Sequence, residues 1–432
     1  MEGGAVLGEG ADGCVLSNPL WPCAESAQKS GKIPRGNNHT VVSKIVKDSD
    51  TESMYLETAA RILGPQLSEI YLAGLKGKCK PANSANPPSS DKVGDYKYAF
   101  DAVKTWPTKG YACEELGKHI KSGKGVTSTH KLMYISRYPS NLNEWLNNIK
   151  SHNLPFKQIM KSINPAIPAL INIVQKFYQN PREELINLDL HHFNIFIRAT
   201  GNTVQFGISD FGRCLLRQRN DTASSKKYIV DYLKEHIKYP MYSDYKQVPF
   251  EARLLNYCLK KNLDNIDPAV LLNNWIHDPA IYEYASYTGD IIILNRGIYG
   301  KYLVTHPLFI QMLEILQSIS KKIRANQLES LSQNESAVIE YILTRYMAVS
   351  PFITILEQLS YYSPELREKI VEITSADFAG KPRPDSELCY ITIFLNRIIL
   401  GPYSSRSSLT QSLSSMQAAD LSLVWSDVVT GL

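Results

Sequence analysis

The chain has 432 residues, 44% of them apolar and 21% charged, with a formal net charge of +5, which suits one large two-lobed globular domain or two ordinary ones. So small a charge with no compact Lys/Arg run gives no footprint for nucleic acid; no basic-then-apolar leader opens the chain, and no unbroken apolar stretch approaches the ~18 residues of a membrane helix. Seven cysteines, at positions 14, 23, 79, 113, 214, 258 and 389, form no Cys-x-x-Cys pair, so reduced thiols in a cytosol-like compartment are expected rather than disulfides or a zinc site.

Leu7-Gly8-Glu9-Gly10-Ala11-Asp12-Gly13-Cys14-Val15 comes almost at once and holds a Gly-x-Gly-x-x-Gly pattern, with Val15 two residues beyond the last glycine. Glycines let backbone N–H groups approach phosphate oxygens; the plain alternative is a flexible glycine-rich terminus. Pro19 and Pro22 disfavour the helix that a dinucleotide-binding version requires, which leaves strand–turn–strand, with a short first strand near Gly4–Leu7. After a polar loop over 17–40, Thr40–Lys47 reads as a strand with Val42 and Lys44 on one face and Lys47 on the other. A lysine that shares a face with apolar residues points inward and needs a charged partner; otherwise it is an edge lysine that reaches water. Ser49-Asp50-Thr51-Glu52 reads as a capping box that opens a helix to about Leu63, before Gly64-Pro65. That box gives Glu52 a structural role and leaves Glu57 to meet Lys44, the alternative for Glu57 being a surface pair with Arg61.

Polar loops are expected at 80–94 and 117–129, and strands at 95–104 and 132–136. Arg137-Tyr138-Pro139-Ser140 then breaks to a helix, Asn141 to Ile149, capped by Ser140. Strands dominate before this point and helices after it, so the boundary falls near Tyr138, with parts 1–138 and 139–432. An adenine-sized ring is expected against the backbone of Ser136 to Tyr138. One long apolar-periodic helix is expected from Phe156 to Tyr178.

The densest chemistry lies between Ile186 and Arg213. Asp189-Leu190-His191-His192-Phe193-Asn194 is followed by Ile195, Phe196 and Ile197, the turn residues Ala199 to Asn202, then Val204, Phe206 and Ile208, and finally Asp210-Phe211-Gly212. Two strands and a tight connection hold both carboxylate signals on one hairpin. Two carboxylates and an amide oxygen suit Mg²⁺, and the chemistry that uses such a set is phosphoryl transfer. Each tripeptide or hexapeptide alone is an ordinary turn; their order is the signal. The basic run from Arg213 to Lys227 reads as an exposed loop, a helix starts within Gln247–Arg253, and helices fill 252 to about 380. Pro384-Asp385-Ser386-Glu387 caps a further helix, Leu388 to Leu400, before a Ser-rich tail.

Glycine loop, strand lysine, helix glutamate, Asp-to-Asn loop, Asp-Phe-Gly and Pro249-Phe250-Glu251 together resemble a eukaryotic-type protein kinase over roughly residues 4–253, and look most like the Ser/Thr protein kinases of large DNA viruses. The resemblance implies an α+β bilobal fold: a small β-rich N-lobe with a five-stranded sheet and one helix, and a larger, mostly helical C-lobe with a helical insertion at about 252–380. It implies ATP and Mg²⁺, protein Ser/Thr hydroxyls as acceptors, and a cytoplasmic setting, host cytoplasm or virion for a viral protein. By the same resemblance Gly8, Gly10, Gly13 and Val15 cover the nucleotide, Lys44 paired with Glu57 bonds the α/β-phosphates, and Ser136 and Tyr138 offer backbone to adenine. Asp189 is the catalytic base, Asn194 and Asp210 bind Mg²⁺, Glu251 anchors the activation segment, and Asp385 opens the central helix of the large lobe.

The chain departs from that pattern in several places. Asn187-Leu188-Asp189 replaces His-Arg-Asp, so no arginine awaits a phosphorylated loop and activity independent of that switch is expected. His191 stands where Ser/Thr kinases carry a lysine, which leaves the acceptor class open. The chain after Asp385 is too short for the usual remaining helices, so 252–380 is expected to supply the missing support. A small-molecule kinase of the aminoglycoside or choline type, which also carries Asp-x-His-x-x-Asn, and a pseudokinase-type binding module remain as alternatives.

Overall fold

Val41-Val42-Ser43-Lys44-Ile45-Val46-Lys47 is rich in β-branched residues, which fit a pleated, packed surface, and it forms the middle strand of a sheet. The computed structural model describes residues 6–9, 13–17, 20–24, 39–82, 103, 112–122, 129–151, 154–200, 203–238, 250–263, 265–268, 270 and 307–375. Five antiparallel strands, β1 (Val6–Glu9), β2 (Gly13–Leu16), β3 (Val41–Lys47), β4 (Leu75–Cys79) and β5 (His130–Ser136), lie in the order β1-β2-β3-β5-β4. Two compact units divide the chain: Met1–Ser140 with Phe196–Arg198 and Gly207–Cys214, and Asn141–Ile195 with Ala199–Phe206 and Leu215–Leu432. The architecture is α+β.

In the sheet unit, Val41 and Ile45 of β3 face a core with Leu16, Trp21, Leu132 and Tyr134. Trp21 is fully buried; its indole N–H donates to the Ala82 carbonyl at 3.2 Å and its amide to Ser43 Oγ at 3.1 Å. A helix, α1 (Glu52–Tyr71), buries Glu52, Leu56, Ala59 and Leu63 at helical spacing. It is interrupted at Gly64 (φ 77°, ψ 169°), a conformation glycine adopts freely, so the expected stop before Pro65 is a kink between two helical segments. The polar loop expected from residue 117 is instead part of α2 (Ala112–Lys121), a second helix in this unit, whose Cys113 and Leu116 join the core. The strand expected at 95–104 lies outside the described residues except for Val103, which is helical and buried.

The expectation of reduced thiols does not hold. Cys14 is bonded to Cys113 and Cys23 to Cys79, with Cα–Cα separations of 4.9 and 5.9 Å. The partners are 99 and 56 residues apart in sequence, so only the folded sheet and α2 bring them together. Among the described cysteines, Cys214 and Cys258 are buried and take part in no disulfide.

The second unit is mostly helical. Its first helix, α3 (Leu142–Ser151), is capped by Asn141 rather than Ser140: Asn141 Oδ1 accepts the Glu144 amide at 2.8 Å, and Glu144 Oε2 accepts the Asn141 amide at 3.1 Å. The single helix expected over 156–178 is two, α4 (Phe156–Ile163) and α5 (Ala166–Tyr178), parted at Pro165, which has no amide proton to continue the ladder. Short strands follow: β6 (Ser140–Asn141), β8 (Ile195–Thr200) and β9 (Thr203–Ile208) form one sheet, and β7 (Glu183–Asn187) pairs with β10 (Cys214–Gln218). The exposed loop expected at 213–227 is replaced by β10 and the start of α6 (Thr222–Lys238), which buries Tyr228, Ile229 and Val230. Next come α7 (Phe250–Lys261), α8 (Pro307–Arg324), α9 (Gln333–Tyr362) and α10 (Pro364–Ser375). The helix expected after Pro384, with Asp385, lies outside the described residues.

Helix α9 packs against α3, α5, α6, α8, α10 and β7. One segment here, Gln333–Ser360, is long and apolar enough by length and composition to cross a membrane, and 87% of its apolar window is buried inside the protein. Its first turn carries a capping box: Ser332 Oγ accepts the Glu335 amide at 3.2 Å and Glu335 Oε2 accepts the Ser332 amide at 2.6 Å. Lys322 Nζ and Ser318 Oγ also donate to the Glu335 carboxylate, each at 2.6 Å. Burial opposes the charge, but these donors outweigh it and hold Glu335 down at about 2.

Two outcomes follow from these contacts. Alkylation of the denatured, unreduced protein should modify Cys214 and Cys258 and spare Cys14, Cys23, Cys79 and Cys113; modification of all six would contradict the pairing. Each disulfide closes a long loop and is expected to contribute roughly 2–4 kcal/mol, so reduction should lower the Tm. Because the Glu335 pKa is depressed on folding, its stabilisation is present above the ordinary carboxylate range and is lost as pH falls toward 2. Glu335→Gln should therefore destabilise the protein at pH 7 and flatten its stability profile between pH 5 and 2, as read by urea unfolding.

Candidate functional site

Lys44 of β3 is 8% exposed, and a buried ammonium has to be paired. Its Nζ lies 2.7 Å from Glu52 Oε2, 2.8 Å from Glu52 Oε1 and 3.6 Å from Asp210 Oδ1. Gly13 makes room for it: a Cβ there would sit 2.7 Å from Lys44 Cε and 3.0 Å from Val46 Cγ1. Val15 is the cross-strand partner of Lys44, and Gly13 that of Val46. Burial works against the lysine charge, yet Asp210 and Glu52 outweigh it and hold the group well above the ordinary lysine value. Burial pushes the Glu52 carboxyl up, to about 7, against the opposing pull of Lys44.

Glu57, expected as the partner of Lys44, is not. It pairs with Lys78 at 2.6 Å on the surface. The expected capping box does not form: the N-cap Thr51 makes no side-chain bond, and Asp50 Oδ1 takes the Glu52 amide at 2.6 Å. Glu52 is thus the first residue of α1, with its side chain free to turn to Lys44. Glu57 lies five residues on, roughly 140° around the helix from Glu52 and off the buried stripe.

Asp210 adopts φ 55°, a left-handed conformation that Asp tolerates but that is uncommon and recurs at functional positions. Its Oδ1 accepts the Gly212 amide at 3.3 Å, and Phe211 beside it is buried.

The turn between β7 and β8 builds a second cluster, in the helical unit. Asn187 Oδ1 accepts the Asp189 amide at 2.8 Å, and the Asp189 carbonyl accepts Asn194 Nδ2 at 2.8 Å. His191 Nδ1 accepts the Phe193 amide at 3.2 Å, so the proton of the neutral ring is on Nε2, 3.6 Å from Asp189 Oδ1. Asn194 Nδ2 is also 3.1 Å from that nitrogen. With Nδ2 committed, Asn194 Oδ1 takes no hydrogen bond from any described residue.

Neither a scan against protein-family models nor a search of curated proteins finds a match.

The expected adenine-facing backbone is partly committed elsewhere. The Ser136 amide donates to the Gly74 carbonyl at 2.9 Å and the Arg137 amide to the Thr40 carbonyl at 2.8 Å. The Tyr138 side chain is structural: its hydroxyl donates to the Ile70 carbonyl at 2.7 Å, Arg198 stacks on its ring at 4.7 Å, and a Cβ at Gly207 would collide with that ring. Gly8 lies in β1; Gly10, Asp385 and the side chain of Glu251 are outside what is described. Among the described residues no group of three His, Cys, Asp or Glu side chains forms a metal cage. Asn194 in the helical unit and Asp210 in the sheet unit each carry the kind of oxygen that hard divalent cations take as a ligand.

Sequence reasoning missed Glu52, although Glu52, Leu56, Ala59 and Leu63 form one stripe that points at the sheet. The two glutamates separate in a stability measurement. Glu52→Ala strands a buried ammonium and should cost about 3–5 kcal/mol, whereas Glu57→Ala removes an exposed pair and should cost less than about 1 kcal/mol in urea unfolding.

Proposed function

We propose that the chain is an ATP- and Mg²⁺-dependent protein kinase that transfers the γ-phosphoryl group to Ser or Thr hydroxyls, and that its two units are the lobes of a kinase-like fold. The observation that carries this reading is the buried Lys44 ammonium held by Glu52 and Asp210 beside Gly13. An ammonium fixed this way is a pre-oriented donor for nucleotide phosphate oxygens. Asp189 would accept the proton of the attacking hydroxyl as the bond from γ-phosphorus to the bridging oxygen breaks and ADP leaves. Its backbone is fixed by Asn187 and Asn194, and His191 Nε2–H lies toward one carboxylate oxygen. Asn194 Oδ1 and Asp210 would hold Mg²⁺, which neutralises charge on the terminal phosphates when bound.

His191, so near Asp189 in place of a lysine, keeps a small-molecule acceptor as the second reading. The two disulfides withdraw the thiol-based argument for a cytosol-like compartment.

The test is phosphate transfer from γ-labelled ATP to casein and myelin basic protein, with choline and amino sugars as alternative acceptors. Wild type should label a protein acceptor only with Mg²⁺, and Asp189→Asn should cut turnover roughly 10²–10⁴-fold with ATP affinity nearly unchanged. Labelling of choline or an amino sugar alone selects the second reading. ATP binding without transfer to any acceptor would make the chain a binding module and overturn the proposal.

A further inference from the structure

Three consecutive carbonyls around Asp189 each accept a side-chain hydrogen bond, and two of the donors come from one distant helix. The Leu188 carbonyl accepts the Tyr346 hydroxyl at 2.6 Å, and the Leu190 carbonyl accepts Thr354 Oγ1 at 3.2 Å. The middle carbonyl, that of Asp189, takes Asn194 Nδ2. Tyr346 and Thr354 lie on α9, 158 and 164 residues from the carbonyls they meet, and are 4% and 3% exposed. Eight residues separate them, which sets them roughly 80° apart on the helix, on one side. The same side brings Met347 Sδ to the Asn187 amide at 3.3 Å. Between the two hydroxyls, Ser350 Oγ donates to the Tyr346 carbonyl at 2.5 Å, and Pro351 has no amide to donate to the preceding turn.

We infer that Tyr346 and Thr354 are positioning residues for Asp189. The two hydroxyls pin the peptide planes on either side of Asp189. With its amide held by Asn187 and its own carbonyl by Asn194, Asp189 has no backbone freedom left to redirect its carboxylate. A merely space-filling helix would leave those carbonyls to other donors, whereas here each hydroxyl is buried and aimed at one of them. This rests on the reading of Asp189 as the proton acceptor.

Tyr346→Phe and Thr354→Val each delete one hydroxyl at nearly constant volume, and Thr354→Ser keeps it. Wild type, these variants and Asp189→Asn are compared in one casein-phosphorylation assay with Tm recorded alongside. Each deletion should lower kcat roughly 10–100-fold with KM for ATP within twofold, because misplacing a reacting group acts on turnover rather than on nucleotide binding. Thr354→Ser should recover most of the turnover. If Asp189→Asn abolishes transfer while folded Tyr346→Phe and Thr354→Val retain wild-type kcat, this inference fails and the reading of Asp189 stands. If Asp189→Asn is as active as wild type, both fail. If Tyr346→Phe does not fold, the Thr354→Val and Thr354→Ser pair decides the matter: equal kcat for the two overturns the role.

Discussion

A lysine ammonium among apolar side chains persists only where opposite charge meets it, and at Lys44 that charge comes from two places: the first turn of α1 and the end of β9. Three local features of the sheet unit follow from it. Gly13 has no side chain because the Lys44 stem passes where a Cβ would be. Helix α1 starts at Glu52, held by Asp50, so that a carboxylate at its first position reaches Nζ instead of closing a cap. Asp210 takes a left-handed backbone conformation with its Oδ1 3.6 Å from the ammonium. Removing either acid would leave a buried charge short of a partner, which is why the arrangement holds as a set.

The helical unit obeys a different constraint. In its loop after β7, the Leu188 and Leu190 carbonyls are met by side chains from α9, while the Asp189 carbonyl takes Asn194 Nδ2 and the His191 amide. That helix is apolar on nearly every side because neighbours cover it, and it is anchored at its start by the Ser332–Glu335 box with Lys322 and Ser318. Within 252–380, the described residues that reach the loop after β7 include Tyr346 and Thr354, whose hydroxyls donate to the Leu188 and Leu190 carbonyls.

What the sequence made legible was local. β3 shows in its β-branched run, the β8–β9 hairpin in period-two apolar residues, and Asn194 in its spacing from Asp189. Glu52 was hidden by a capping-box pattern that the fold does not use, since Asp50 captures the amide that the box would have taken. β10 and the start of α6 were hidden by Arg217, Arg219, Lys226 and Lys227: these read as a solvated loop, although Arg217 is tied to Glu184 and Glu340 and Tyr228 packs inward. β4 alternates, with Lys76 and Lys78 exposed, but it is only five residues long with Gly77 at its centre, too short and too polar to stand out from the loops around it. The disulfides and the bonds from α9 join residues 56 to 164 positions apart, and no window on the chain contains both partners.

The central claim, that Lys44 is a nucleotide-phosphate donor fixed by Glu52 and Asp210, is tested most directly with an ATP acyl-phosphate probe, which acylates a lysine that sits against the bound phosphates. Mass spectrometry of the digested protein should find the label on Lys44, with ATP and Mg²⁺ protecting it and the surface lysines Lys78 and Lys80 labelled no more than in unfolded protein. Absence of label on Lys44, or label there that excess ATP does not reduce, would contradict the account.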